Sequence, residues 1–342
     1  MAARVPFAER GGAVRGVLDL VTGCYPAFLF GGRVGGQLPV FHLHEVTRDW
    51  LEPRLQFLAE NGYRTIWCDE IARFVIDGVR PAPKSIALTF DDAWSSAYTV
   101  AFPLLKQYGL RAILFAIPGR VGMAEFVTWP QLQEFHESGI FDVQSHTRTH
   151  AMIFCDSQVV DFVTPEFANE PLLNRPLESD GLGTPLYLRR SRMSDARRFH
   201  ADESAAARCR THVAIHGGAE FFRRPSWRDE LTEILGTVEG SFESDETRAS
   251  RIQAELDEGR ELLNSQLRTR TVKHVALPWG IAGSIARQAV EATGHQLAFA
   301  ERPWRRRSVR AGDDRFGLMR LSSRFLTCLP GRGRQTFFTT VR

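Results

Sequence analysis

Ser85-Ile86-Ala87-Leu88-Thr89-Phe90-Asp91-Asp92 is an apolar run that ends in two consecutive acids. Short, apolar and bounded by turn residues, residues 85–90 read as a buried strand. An amphipathic stretch of helical length follows at 95–108. The same alternation extends in both directions. Upstream it predicts strands at 39–43 and 65–68 with helices at 50–60 and 70–76. Downstream it predicts strands at 112–117, 141–144, 272–277 and 297–300, with helices at 130–138, 228–235, 246–267 and 281–292. Thr128, ahead of Trp129 and Pro130, has the character of an N-cap before a helix-starting proline. Gly62, Gly109, Gly139 and Gly294 each stand where a helix needs a left-handed stop. About seven strands with about seven helices make an α/β chain whose parallel sheet is closed or nearly closed into a barrel, a doubly wound open sheet being the alternative. Both architectures place chemistry at the carboxyl ends of the strands.

The rest of the chain fits a folded domain. Its 342 residues suffice for one large domain or two modest ones, and 43% hydrophobic with 24% charged residues excludes global disorder and collagen-like repeats. A net charge of +3 is too small to suggest a nucleic-acid partner by itself. Lysine occurs only at 84, 106 and 273, an arginine bias that commonly reflects genome composition. Cys24, Cys68, Cys155, Cys209 and Cys328 form no CxxC pair, which points to reduced thiols and a cytoplasmic chain. Arg4, Arg10 and Arg15 precede an apolar stretch at 17–30 that imitates a secretion signal, but Asp19, Gly23 and Pro26 interrupt it and it is too short to cross a bilayer. A surface helix within an N-terminal extension, 1–37, is expected instead. The βα domain then covers 38–300, broken by a long polar insertion at about 151–225, and a basic segment occupies 301–342. That last segment holds eleven arginines against Glu301, Asp313 and Asp314.

Adjacent carboxylates repel and are costly to bury, so Asp91-Asp92 at a strand end calls either for a cation or for use of one acid as a helix cap. A second predicted strand ends in Ser145-His146-Thr147-Arg148-Thr149-His150. Histidines four apart on one turn present both imidazoles to one side, a common way to grip a transition metal. One acid and two histidines at the carboxyl ends of strands in one βα fold make an open metal site.

Thr89-Phe90-Asp91-Asp92 followed by His146-Thr147-Arg148-Thr149-His150 resembles the first two motifs of the polysaccharide deacetylases, carbohydrate esterase family 4, which share the NodB homology domain. The resemblance spans about 38–300 and implies a distorted (β/α)7 barrel. Ala93 replaces the glycine of the first motif. Carried over by position, Asp91 would be the general base, while Asp92, His146 and His150 would hold a divalent metal, most simply Zn²⁺. The family's third motif is similar to Leu277-Pro278-Trp279-Gly280, which would place Pro278 and Trp279 at the substrate and oxyanion. This chain lacks that motif's arginine, so another is expected to orient the base, with Arg224 of the insertion a candidate. The C-terminal histidine that serves as general acid is also missing. A circularly permuted branch acting on poly-N-acetylglucosamine carries the equivalent strand at the N-terminus, and Val40-Phe41-His42-Leu43-His44 is similar to it, with His44 as the acid and His42 on the same face.

The implied reaction is hydrolytic deacetylation of an acetylated glycan or lipid-linked sugar by water activated on the metal. Two alternatives remain at this point. A two-histidine, one-carboxylate set also suits Fe(II) oxygenases, although the second acid fits that poorly. A degenerate relative that binds glycan without turnover would explain the missing arginine. The insertion leaves the barrel at His150 and is expected to wall the site. The tail, with Arg302, Arg305, Arg306, Arg307, Arg310, Arg315, Arg320 and Arg324 among Trp304, Phe316, Leu318, Leu321 and Phe325, is expected either to cover the barrel as a final helix or to dock on an anionic membrane face.

Overall fold

A computed structural model of the protein describes residues 13–176, 181–302 and 305–340. Arg4, Arg10 and Trp304 lie outside them. The chain divides into two compact units. The first comprises the described residues of Gly11–Thr149, Gln253–Ala282 and Arg287–Arg342; the second comprises His150–Ile252 and Gly283–Ala286.

In chain order the strands are β1 (Val40–Leu43), β2 (Arg64–Thr65), β3 (Ser85–Asp92), β4 (Ala112–Ala116) and β5 (Phe141–Ser145). There follow β6 (Met152–Phe162), β7 (Pro185–Ser191), β8 (Phe199–Ala201) and β9 (Gly240–Phe242), then β10 (His274–Ala276), β11 (Leu297–Phe299) and β12 (Leu321–Ser322). Seven of them form a curled parallel sheet in the order β11-β10-β5-β4-β3-β1-β12, with β2 branching from β3. The edges of this sheet meet. Leu318 bridges Phe299 of β11, and three residues later Leu321 pairs with Phe41 of β1. The first unit is therefore a distorted (β/α)7 barrel, as expected. A strand lies at each of the seven expected places, but the one expected at 65–68 is only Arg64–Thr65, and Cys68 already begins a helix.

Period-two alternation sorts each strand between two cores. Ile86, Leu88 and Phe90 of β3, Leu114 of β4 and Phe41 and Leu43 of β1 pack outward under helices, against Leu55, Leu104, Leu132 and Phe135. Ala87, Ile113, Phe115, Val40, Ala276 and Phe299 fill the interior. The same alternation aims Thr89 and Asp91 inward on β3. On β1 it aims His42 inward, and just ahead of β12 Arg320 turns inward, because the next residue, Leu321, belongs to the outer core. The barrel is thus apolar low down and polar at the carboxyl ends of its strands.

Three expectations need correction. Residues 95–108 do not form one helix: a π-helical turn at Ala97–Ala101 precedes an α-helix at Phe102–Gln107, where Pro103 cannot donate the bond that would continue the pattern. The helix expected over 17–30 ends at Val21. Gly23 turns the chain with φ 67°, and Pro26 leads into a 3₁₀ turn at Ala27–Phe30. Among its described residues the tail forms no long covering helix. It contributes β12, a 3₁₀ segment Ser323–Cys328 and one short helix, Phe337–Thr340.

The second unit is more ordered than a polar loop. β6 and β7 form an antiparallel pair, irregular between Phe154 and Val159, and β8 pairs with β9. Helices Glu203–Ile215 and Trp227–Leu235 close an apolar core around Phe162, Cys209, Val213, Phe221 and Leu231. A buried ion pair joins Arg192 to Glu243 at 2.6 Å.

Candidate active site

Asp91 and Asp92 end β3, and the alternation of the strand gives them different surroundings. Asp91 is only 3% exposed and accepts two hydrogen bonds from Arg320, Nη1 to Oδ1 at 2.6 Å and Nη2 to Oδ2 at 2.7 Å. Arg320 also donates to Thr89 Oγ1 at 2.9 Å, and its guanidinium lies within 6 Å of the Phe115 and Phe299 rings. Burial alone would raise the Asp91 carboxyl. The Arg320 charge, reinforced by His146, the Arg320 hydrogen bonds and His44, outweighs burial and holds it well below the usual carboxylate range. Asp91 is therefore a fixed, ionised carboxylate whose charge is already balanced.

Asp92 leaves the strand with φ 72°, and Ala93 follows at 64°. Two non-glycine residues in the left-handed region store strain, commonly about 1–3 kcal/mol each, and mark a turn that its neighbours over-determine. Val127 N–H donates to Ala93 O at 3.0 Å, and Ser95 N–H to Glu125 O at 2.9 Å. The Trp94 indole N–H donates to Asp92 Oδ2 at 2.9 Å, and its ring stacks on Phe126 with centroids 4.5 Å apart. Asp92 Oδ1 lies 3.3 Å from His146 Nε2.

His146 follows β5. Its Nδ1 lies 2.7 Å from Ala276 O on β10. A carbonyl can only accept, so Nδ1 carries a proton and Nε2 is the nitrogen that faces Asp92. Burial disfavours an imidazolium at His146, but the Asp92 contact and the charges of Asp91 and Asp92 overcome it and raise that group. The pocket beside Asp92 calls for positive charge, from a proton or from a cation.

One ligand atom from each of Asp92, His146 and His150 lies within 4.8 Å of the others. A carboxylate and two imidazoles, all buried, fit a divalent ion and leave coordination positions open. The two histidines do not share a helical turn, contrary to the sequence reading. Residues 146–150 are non-helical, and Thr147 (φ 63°) and His150 (φ 58°) are left-handed. What brings the imidazoles to one side is a strained turn anchored in the barrel. Gly119 N–H donates to Arg148 O and Arg148 N–H donates to Glu255 O. Glu255 in turn takes the Thr149 N–H at 2.9 Å and the Thr149 hydroxyl at 2.5 Å.

His42 and His44 rise from β1 with ring centroids 5.7 Å apart. Burial, then the Arg320 charge, pushes His42 down to about 3, so it is neutral at any working pH. His44 has a side chain 53% exposed, with Nε2 3.8 Å from Asp91 Oδ2. Val46 N–H donates to Ser96 Oγ at 3.1 Å, tying the loop after His44 to the turn after Asp92.

Pro278 is buried and Trp279 half-buried in the turn after β10, next to the Ala276 carbonyl that holds His146. Trp279 has φ 54°. A Cβ at Gly280 would meet Glu301 Cγ at 2.5 Å. Glu301 accepts from Arg307, which also donates to Asp19 and approaches Arg320 O. One ion network thus supports both the Trp279 turn and the segment that carries Arg320 into β12.

The sequence reading missed three residues that touch this site: Arg320, Trp94 and Glu255. Arg224 is not the guanidinium at Asp91. It lies in the second unit, 3.7 Å from Glu230 and over the Phe221 ring. The usable signal was a lone arginine inside the apolar run Leu318-Met319-Arg320-Leu321, which has to be paired if it is buried.

Comparison with known proteins points to the same family of folds. Residues 78–170 match the family model of polysaccharide deacetylases. The chain is 30% identical over 122 residues to a putative polysaccharide deacetylase, YxkH, of Bacillus subtilis, a match covering 33% of this chain and 43% of that protein. It is 30% identical over 115 residues to the poly-beta-1,6-N-acetyl-D-glucosamine N-deacetylase of Staphylococcus epidermidis, covering 32% and 39%. The chain therefore spans less than half the length of these relatives. Among solved structures, the deacetylase PplD of Streptococcus pyogenes, in complex with acetate, superposes with a TM-score of 0.53 at 16% identity, covering 90% of this chain and 98% of that one. The BpsB deacetylase domain of Bordetella bronchiseptica gives 0.55 at 19%, covering 85% and 97%. At such identities the likeness is one of fold.

Proposed function

We propose that this chain, which carries a polysaccharide deacetylase domain at residues 78–170, is a metal-dependent hydrolase that removes acetyl groups from an N-acetylated carbohydrate. The observation that carries this reading is the division of labour between two adjacent acids. Asp91 is neutralised and oriented by Arg320, while Asp92 is gathered with His146 and His150 into a buried carboxylate–imidazole cluster.

Asp92, His146 and His150 would hold the divalent ion, Zn²⁺ most simply. Such an ion, when bound, supplies a Lewis acid and brings the pKa of a water towards about 7. Arg320 keeps Asp91 ionised and a weak base, matched to a proton donor already made acidic. Both Asp91 oxygens are fixed by the guanidinium fork, so the carboxylate cannot rotate away from the reacting proton. The turn at Pro278 and Trp279 would meet the acetyl group, and His44, at the exposed rim, would give a proton to the departing amine. Direct measurement of released amine from N-acetylglucosamine oligomers tests the reaction. About one divalent ion per chain is expected, and Asp92→Asn, His146→Ala and His150→Ala should each lose most of it. Full occupancy in the two histidine variants would refute the site.

His44→Ala should slow acetamide substrates more than activated esters, whose leaving groups need little protonation. His42→Ala should show no such selectivity, because a neutral imidazole is too weak an acid to protonate a leaving group. Equal losses on both substrate types in His44→Ala would make His44 structural.

The substrate is proposed to be a hexosamine polymer or lipid-linked sugar, in keeping with the substrate named for the staphylococcal relative. The second unit, which begins at His150, is proposed to select it. Placement at the inner face of a membrane is also proposed. Arg307 and Arg320 are buried and cannot serve a docking surface, which leaves Arg305, Arg306 and Arg324 exposed for it. No helix among the described residues is long and apolar enough to cross a membrane. A glycan-binding relative without turnover is less favoured, because Arg320 supplies the guanidinium whose absence motivated that reading.

A further inference from the structure

We infer that Glu255 is a positioning residue for the metal centre: it shapes the turn that presents His146 and His150, without touching the ion. The inference rests on the reading of Asp92, His146 and His150 as ligands. Thr147 and His150 both sit in the left-handed region, where a β-branched residue such as Thr147 is a genuine outlier. Such a turn persists only when its surroundings hold it.

Glu255 supplies three of the holding contacts from one residue of the helix Asp245–Gln266. Its carbonyl accepts Arg148 N–H at 2.8 Å, and its carboxylate bridges the Thr149 N–H (2.9 Å) and hydroxyl (2.5 Å). Thr149 is bonded directly to His150, so a shift of its backbone moves the His150 side chain with it. The helix reaches this turn because of Gly259. A Cβ there would lie 2.8 Å from Arg148 N and 2.9 Å from Thr147 C. On the other side a Cβ at Gly119 would lie 2.6 Å from Arg148 O. Both glycines keep the turn between two backbones, and Glu255 fixes its height along the helix.

This arrangement separates affinity for metal from stability of the helix. Glu255→Gln keeps one acceptor for Thr149 and loses the other, and Thr149→Val loses only the hydroxyl bond. Gly259→Ala is the sharpest probe. Alanine favours a helix over glycine, so the helix itself gains while the ligand turn is displaced. Co²⁺ would be titrated into chelator-stripped full chain and followed by its ligand-field spectrum, with thermal unfolding of the stripped proteins alongside. In all three variants the Co²⁺ dissociation constant should rise about 10–100-fold, as for lost outer partners of metal ligands, with an altered spectrum and near-unchanged melting of the stripped protein. If Glu255→Gln does not fold, Thr149→Val and Gly259→Ala decide. Dissociation constants within about threefold of the parent, with the parent spectrum, would overturn the role of Glu255. If instead the parent chain bound no Co²⁺, or His146→Ala bound it equally well, the ligand assignment itself would fall.

Discussion

Arg320→Met should destabilise the fold by about 3–5 kcal/mol, the usual cost of removing one partner of a buried ion pair, and should take most of the deacetylase activity with it. Asp91 is 3% exposed and its two oxygens face one guanidinium. Without that group the carboxylate is a buried, uncompensated charge. Methionine keeps the contact with Phe115 and Phe299 and so isolates the loss of charge and hydrogen bonds. Asp91→Asn in the Arg320→Met background should recover much of the stability, because the orphaned charge is gone. Urea unfolding of the parent, both single variants and the double variant closes the cycle, and additive free energies would rule out the coupling. The pH dependence has a definite sign. Asp91 is held below its unfolded value, so its contribution is present above about pH 4 and is lost as the pH falls further. Arg320→Met should lack that acid-side decline.

Asp91→Asn should lower deacetylation by about 10²–10⁴ while the protein keeps its metal, since only the proton acceptor is removed. Asp92→Asn should lose the metal first and the activity as a consequence. Metal analysis paired with the rate on one N-acetylated oligomer separates the two acids. If both substitutions changed metal content and rate alike, the roles assigned to Asp91 and Asp92 would have to be abandoned.

Much of this was legible from local pattern. The long apolar runs of β3, β4 and β5 announce themselves, and period two alone places Thr89 and Asp91 on one face. Thr128 caps its helix as its side chain predicts, accepting from Gln131 N–H while the Gln131 side chain returns the bond. β12 escaped because a two-residue strand has no period to read and lies in an arginine-rich segment. The insertion reads as polar because its strands are short or irregular and expose one face. At the site, the ligand types were legible but their geometry was not. Four-residue spacing suggests a helix, whereas left-handed Thr147 and His150 depend on Gly119, Gly259 and Glu255, which no local pattern connects to them. Arg320 was hidden for a similar reason: its partner lies 229 positions away.

That separation sets an order of events during synthesis. A chain leaving the ribosome has both acids and all three candidate ligands in hand once His150 has emerged. The arginine that makes Asp91 tolerable inside the barrel emerges 229 positions after Asp91, about 10–50 s later at ordinary elongation rates. Until then β1 lacks the neighbour that Leu321 and Ser322 provide, and the edges of the sheet remain apart. The nascent protein carries its candidate ligands early, but the Asp91 charge is compensated only late, when ring closure at β12 and Arg320 just ahead of it arrive together.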